Sequence, residues 1–385
     1  MGSGEVKYEI LYIPAWWPCS FFKEQQDALA DTFEPIVLIG KCRVFSRRNF
    51  IKNFFQKDLG GTRGWKDGDL FHFDFDWVNV DAGQADIQLS MLAQKAGAYI
   101  KEILQDRRLD LVYIQSVSDL SVVIAYWARH CGIPVVLAEH ILFIRRSNDY
   151  LSRRKEKLFS EVDSVLCVSN YLYRNLLTSD LSPKSVEVVG NLVDVEFVST
   201  NNHLDKNGKV LFVASHLADK DFDTFLRAVK LLPQDIHVDV IGLDNDVLYG
   251  RGRSMHDIVT ELGLVEQVSF MGKMNHEDLI RCYASYSVLL STSRSETFGL
   301  SVAEALSCGT FAVCTDSGGI HDFMTEKDGK IVNIGDAKAL ADAVVEAIRN
   351  EKRATGEVVK EKFAKDPYVK KIKNVLSELV QNKSL

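Results

Sequence analysis

Short apolar runs, four to six positions long, recur through the chain, and stretches of helical spacing lie between them. Tyr8–Ile13, Leu111–Ile114, Val135–Ala138, Val210–Val213, Val238–Gly242, Val268–Gly272, Tyr286–Leu290 and Phe311–Thr315 have the length of strands buried in a sheet. Phe22–Phe33, Ser121–His130, the stretch from Lys220 to Leu232, Phe298–Ser307 and Phe363–Val380 place apolar residues on one helical face. Alternation of strand and helix predicts an α/β fold with doubly wound parallel sheets, whose ligands lie beyond the carboxyl ends of the strands. The polar, glycine-containing stretch Ser199–Gly208 reads as a linker. The expected organisation is therefore two Rossmann-like domains, 1–200 and 201–362, facing across a cleft, with 363–385 a helix crossing back to the first.

Composition changes this picture little. With 385 residues, 46% of them hydrophobic, there is ample material for two cores. A net charge of −7 argues against bulk nucleic-acid binding. The seven cysteines (Cys19, Cys42, Cys131, Cys167, Cys282, Cys308 and Cys314) are scattered, without a CxxC pair, and read as reduced thiols of a cytoplasmic protein. There is neither a signal-peptide pattern nor a run of eighteen apolar residues, so no membrane span is expected.

Three stretches allow two readings each. Lys41–Lys57 holds six basic residues, no acids and Phe45, Phe50, Phe54 and Phe55. It is either a solvated helix with its phenylalanines toward the core, or a surface making peripheral contact with the inner face of a membrane or a lipid-phosphate acceptor. Asp74-Phe-Asp76 matches a metal-binding DxD pattern but alternates as a plain strand does, and the strand is the reading adopted. Trp16 and Trp17 are either interdomain packing or an acceptor-side platform for a sugar ring.

Ser291–Gly319, STSRSETFGLSVAEALSCGTFAVCTDSGG, concentrates the candidate chemistry. A strand end leads to a helix beginning at Phe298, Gly309 stops that helix, and a second strand opens into Gly318-Gly319. The amides of Phe298, Gly299 and Leu300 would stand at the helix N-terminus, where backbone donors and the dipole favour an anion such as a diphosphate. Glu296 and Glu304 bracket that start. Singly they read as a capping acid and a solvated face residue. Together, roughly 12 Å apart if all eight steps were helical, they suit a grip on the polyol groups either side of a diphosphate.

These residues carry a resemblance. ETFGLSVAEALSCG followed by the GG loop closely resembles the signature of glycosyltransferase family 4, retaining enzymes of the GT-B fold. IPAWWPCSFFKEQQDAL, GIPVVLAEH and VEVVGNLVDVEF resemble further family segments, so that the likeness runs from about Tyr8 to Val380. It implies that Glu296 contacts the donor sugar and Glu304 the ribose, while Thr297, Phe298, Gly299, Leu300 and Gly319 line the donor site. It further implies that Met274 lies where the base is read by backbone contacts, that Lys220 neutralises the leaving diphosphate, and that His140 faces the reacting sugar.

The chain departs from the family pattern at several points. Ser215 stands where the family usually has a phosphate-binding arginine, and the candidates to compensate for it are His216 or an arginine elsewhere. Gln115 falls where many members have a second histidine, and the loop after Ile13 lacks the family's glycines.

The activity implied is transfer, with retention and without metal or cofactor, of a sugar from a nucleotide-diphosphate donor (UDP first, GDP next). The acceptor would be a glycan or a lipid-linked molecule, in cell-surface polysaccharide assembly. Two other readings stand beside it: a weak nucleotide-sugar-binding or partner-binding module, and a nucleotide-sugar epimerase of the same shape.

Overall fold

A computed structural model describes residues 7–14, 20–46, 62–79, 82–142, 150–179, 181, 183–193, 208–214, 219–243, 248–249 and 252–382. The chain divides into two compact units, Met1–Val189 with Val369–Leu385, and Gly190–Tyr368.

The first unit is built on β1 (Tyr8–Ile13), β2 (Phe33–Ile39), β3 (Cys42–Ser46), β4 (Arg63–Asp67), β5 (Leu70–Asn79), β6 (Leu111–Gln115), β7 (Val135–Glu139), β8 (Ser164–Cys167) and β9 (Val186–Val188). Its helices are α1 (Ser20–Leu29), α2 (Ala82–Leu104), α3 (Asp119–His130), α4 (Tyr150–Glu161) and α5 (Asn170–Leu177). The sheet order is β3-β5-β2-β1-β6-β7-β8-β9, parallel throughout, with β4 added antiparallel on β5. β2 and β3 are one strand in two pieces. Ile39 pairs with His72 and Cys42 with Phe75 in an unbroken register, and at the break the Asp74 carboxylate accepts the Lys41 N–H at 2.8 Å. The helix reading of Lys41–Lys57 therefore fails over Cys42–Ser46. A buried partner strand outweighs the basic composition there, and the rest of that stretch lies outside the described residues. Asp74 and Asp76 lie in β5, as the strand reading has it.

The second unit contains β10 (Val210–Val213), β11 (Val238–Ile241), a short antiparallel ribbon of β12 (Leu248–Tyr249) and β13 (Arg253–Ser254), β14 (Val268–Phe270), β15 (Val288–Ser291), β16 (Phe311–Thr315) and β17 (Gly329–Val332). Its helices are α6 (Phe222–Val229), α7 (Met255–Glu261), α8 (His276–Tyr283), α9 (Leu300–Ser307), α10 (Ala337–Arg349) and α11 (Glu357–Phe363). The main sheet runs β14-β11-β10-β15-β16-β17, all parallel. In both units the strand order reverses beside the first strand, between β1 and β6 and between β10 and β15. Open α/β sheets receive ligands at such a switch point.

Side-chain caps start the helices where the polar loops end. Asp221, Ser254, Asn275 and Asp336 each accept a backbone N–H of the first turn of α6, α7, α8 and α10. α12 (Lys365–Asn382) begins in the second unit and ends in the first, where Lys371 Nζ donates to the Val188 carbonyl and Lys373 pairs with Asp31. Among the described residues no helix is long and apolar enough to cross a membrane.

Asp328, 1% exposed, fastens the turn before α11. Its Oδ1 accepts from Thr355 N, Thr355 Oγ1 and Gly356 N at 2.8–3.0 Å, and its Oδ2 from Thr325 Oγ1 at 2.6 Å. Burial alone would raise this carboxyl, but the four donors outweigh it and hold the group below its ordinary value. A depressed folded pKa gives stability that is present above the unfolded value and lost as pH falls through the folded one. Asp328→Ala is expected to destabilise the second unit by about 2–4 kcal/mol at pH 7. Denaturant titrations of both proteins should show that gap narrowing below about pH 4.

Candidate active site

The second unit's switch point brings together residues far apart in sequence. β10 ends at Val213, and the loop beyond it delivers Lys220 just before α6. β15 ends at Ser291, and its loop carries Thr292, Ser293, Arg294 and Glu296. Lys220 Nζ donates to Glu296 Oε1 at 2.5 Å, and Ser293 Oγ donates to the same oxygen at 2.8 Å. Both charged side chains are about one-fifth exposed (19% and 20%), so the pair is held at the surface of the fold and open to a ligand. Thr292 Oγ1 binds the Lys220 and Asp221 carbonyls at 2.5 and 3.2 Å, tying the two loops together. Asp221 takes a left-handed conformation at φ 44° and accepts Arg294 Nη2 at 2.9 Å, while the Arg294 N–H donates to the Asp219 carbonyl. Behind the pair on β16, burial and then the Glu296 charge push the Cys314 thiol far up, so it stays protonated.

The segment from Glu296 to α9 is shaped by glycine. Glu296 bridges Gly318 in parallel, with its N–H on the Ser317 carbonyl and its own carbonyl accepting the Gly319 N–H. A Cβ on Gly319 would stand 2.3 Å from the Thr297 carbonyl oxygen, so only glycine lets the two loops touch. Gly299, at φ 92°, is the N-cap of α9, and no side chain caps that helix. The helix thus starts at Leu300, two residues later than the periodicity predicts, and the amides at its positive end belong to Leu300 and Ser301. The Phe298 ring is buried instead, 5.1 Å from each of Phe323 and Phe363. An apolar residue beside a glycine turn extends the helical pattern without joining the helix.

Glu304 is not a solvated face residue, and no continuous helix joins it to Glu296, since α9 begins only at Leu300. It is 4% exposed; Oε1 faces His276 Nε2 at 3.0 Å and Oε2 accepts Tyr283 Oη at 3.1 Å. Thr297 is partly buried beside Glu296, and Met274 lies partly buried in the loop between β14 and α8.

In the first unit, β6 and β7 end side by side at Gln115 and Glu139, next to the switch point. Gln115 Nε2 donates to Gln25 Oε1 at 2.9 Å, which leaves Gln115 Oε1 to accept from His140 Nε2 at 2.8 Å. The residue that departs from the family's histidine is thus His140's own partner. Glu139 Oε1 accepts Ser116 Oγ and the N–H groups of His140 and Ile141 at 2.8–2.9 Å, with burial pushing its carboxyl up against those donors. These bonds fix the turn that carries His140.

Trp16, Trp17, Ser215 and His216 lie outside the described residues. Sequence reasoning missed Arg294, Ser293, His276, Tyr283 and Gln25. Arg294 and Ser293 sit within three residues of Glu296, so proximity in sequence was a usable signal; the partners of Glu304, 21 and 28 residues away, gave none. Among the described residues no cluster of His, Cys, Asp or Glu could hold a metal ion.

Comparison with known proteins decides the family. The model described as glycosyl transferases group 1 matches residues 195–378, and that of glycosyltransferase family 4 matches residues 89–197. The chain belongs to the group 1, family 4 glycosyltransferases. A relative described as an uncharacterised glycosyltransferase of Methanocaldococcus jannaschii is 25% identical over 292 residues, covering 72% of this chain and 78% of that protein. A D-inositol 3-phosphate glycosyltransferase of Mycolicibacterium gilvum is 30% identical over 176 residues, 43% of this chain and 40% of the relative's length. The crystal structure of Anabaena HepE in complex with UDP superposes with a TM-score of 0.68 at 18% identity, covering 96% of this chain and all of that one. With such structural neighbours and two parallel-sheet α/β units, this family 4 glycosyltransferase has the GT-B fold.

Proposed function

We propose that this glycosyltransferase moves a sugar from a nucleotide-diphosphate donor to a hydroxyl acceptor with retention of configuration and without metal. The observation that carries the donor reading is the Lys220–Glu296 pair at the second unit's switch point, beside the uncapped start of α9. In this reading the diphosphate takes the Lys220 ammonium and the Leu300 and Ser301 amides, Glu296 takes the sugar hydroxyls and Glu304 the ribose. The base lies against the loop holding Met274. Arg294 is the compensating cation for the position held by Ser215. Its side chain is 61% exposed, and Asp221 Oδ2 takes one donor of a guanidinium that has several.

Transfer breaks the bond from the anomeric carbon to the diphosphate oxygen and forms one to the acceptor oxygen, whose proton passes to the leaving phosphate. Positive charge develops at the anomeric carbon on the way. The resemblance gives His140 support of that charge. It also suggests a glycan or lipid-linked acceptor in cell-surface polysaccharide assembly, with Trp16 and Trp17 on the acceptor side and Lys41–Lys57 as a peripheral membrane contact. UDP is favoured as the nucleotide because the HepE structure was solved with it.

Calorimetry with UDP-, GDP- and ADP-sugars, followed by a hydrolysis assay on any binder, tests the reading. Binding of one donor with slow, EDTA-insensitive hydrolysis is expected; binding of none would sink it. Arg294→Ala should weaken UDP about tenfold and leave uridine unaffected. Equal losses for both ligands would assign Arg294 to the Asp221 turn alone.

A further inference from the structure

One helix grips both oxygens of a buried carboxylate in the second unit. His276 is the first residue of α8 and Tyr283 its last, seven positions apart and so on one face. Both reach Glu304 on α9, His276 Nε2 at Oε1 and Tyr283 Oη at Oε2. The face between them is locked down. Ile280 is 1% exposed and its carbonyl accepts Cys308 Sγ, Thr310 Oγ1 donates to the Tyr283 carbonyl at 2.6 Å, and Asn275 caps the helix start. Tyr283 is wholly buried, and burial followed by the Glu304 charge pushes its phenol well up, so that it stays a donor. His276 is about one-third exposed (34%), so of the two residues holding the acid it is His276 that stands nearer to solvent.

A buried carboxylate with a donor on each oxygen cannot rotate. A carboxylate offers about four lone-pair sites, so two remain, and their directions are set by α8 and not by the ligand. Such an acid presents a fixed pair of acceptors to two vicinal hydroxyls, with the ordering entropy already met in the empty protein. We propose that His276 and Tyr283 are positioning residues for ribose recognition, aligning Glu304 so that the site selects a ribonucleotide over its 2′-deoxy counterpart. This rests on the reading of Glu304 as the ribose-binding acid.

The test is the ratio of affinities for UDP and 2′-deoxy-UDP (or GDP and 2′-deoxy-GDP, if the guanine nucleotide is the one bound). It is measured by calorimetry on the full chain and on His276→Leu, His276→Gln, Tyr283→Phe and Glu304→Ala. The unchanged protein should favour the ribonucleotide by at least about tenfold, and Glu304→Ala should erase the preference. Tyr283→Phe and His276→Leu should each cut it several-fold while 2′-deoxy-UDP binds as before, and His276→Gln, which restores an N–H donor, should recover most of it. A purely structural role would weaken both ligands together and leave the ratio unchanged.

Full discrimination surviving in folded Tyr283→Phe and His276→Leu proteins would overturn the inference and leave the donor site standing. An unchanged protein that binds UDP without discrimination would overturn the ribose role of Glu304 and, with it, the positioning role. Failure to bind either nucleotide pair would sink the donor reading as a whole.

Discussion

Glu296→Gln is expected to lose donor turnover by about a thousandfold while binding free UDP at least as tightly as the unchanged protein. The two effects have opposite signs because Glu296 does two things. In the empty site its Oε1 holds the Lys220 ammonium at 2.5 Å, so a diphosphate has to compete with a carboxylate for that cation. An amide keeps the shape and the Ser293 contact but gives up the charge, which frees Lys220 for phosphate. Sugar transfer instead requires the acid's own grip on the donor, and an interaction made most strongly in the transition state appears in kcat. Hydrolysis of the cognate donor and calorimetry with UDP read the two halves separately. Unchanged turnover would remove Glu296 from the site, and a parallel fall in UDP affinity would make its role one of folding. Lys220→Ala should do the reverse and weaken UDP first.

Phe298→Ala should destabilise the second unit by about 3–5 kcal/mol, the range for deleting a fully buried aromatic. The ring is 2% exposed and fills the space between Phe323 and Phe363, whose own rings stand 6.3 Å apart. The cavity also lies directly beneath Gly299 and the start of α9, so UDP affinity should fall along with the denaturant midpoint. Phe298→Leu, which keeps most of the volume, should recover most of both. Loss of stability with donor affinity intact would show that the loop holds its shape without the ring beneath it.

The fold was legible where burial alone sets the pattern. Val210–Val213 and Phe311–Thr315 appear in the structure with the bounds their hydrophobic runs predict, because strands of a parallel sheet are covered on both faces. Boundaries failed where a glycine or a partner strand intervened. Phe298 extends the periodicity of α9 without belonging to it, and the basic stretch after Lys41 starts as a strand because β5 is there to pair with it.

The site was legible as residues and not as partnerships. Glu296, Glu304, Lys220 and His140 all stand out in the sequence, but 76 positions separate Lys220 from Glu296 and 25 separate Gln115 from His140. Pairings at such distances arise from the strand order and leave no local trace. Glu304 shows the limit most clearly. Set between two alanines on a short helix it reads as a surface acid, and its two partners come from α8, itself an ordinary amphipathic stretch.

The terminal helix α12 has a consequence for how this chain is made and cut. From Val369 onward it belongs to the first unit, with Ile372 and Leu376 at most 1% exposed and with Lys371 and Lys373 fastened to Val188 and Asp31. The unit that leaves the ribosome first therefore has to wait, through the synthesis of the whole second unit, for a part of its own core. A fragment ending before Lys365 would hold nearly all of the second unit and an unfinished first one, so the two cannot be separated by a single cut between them.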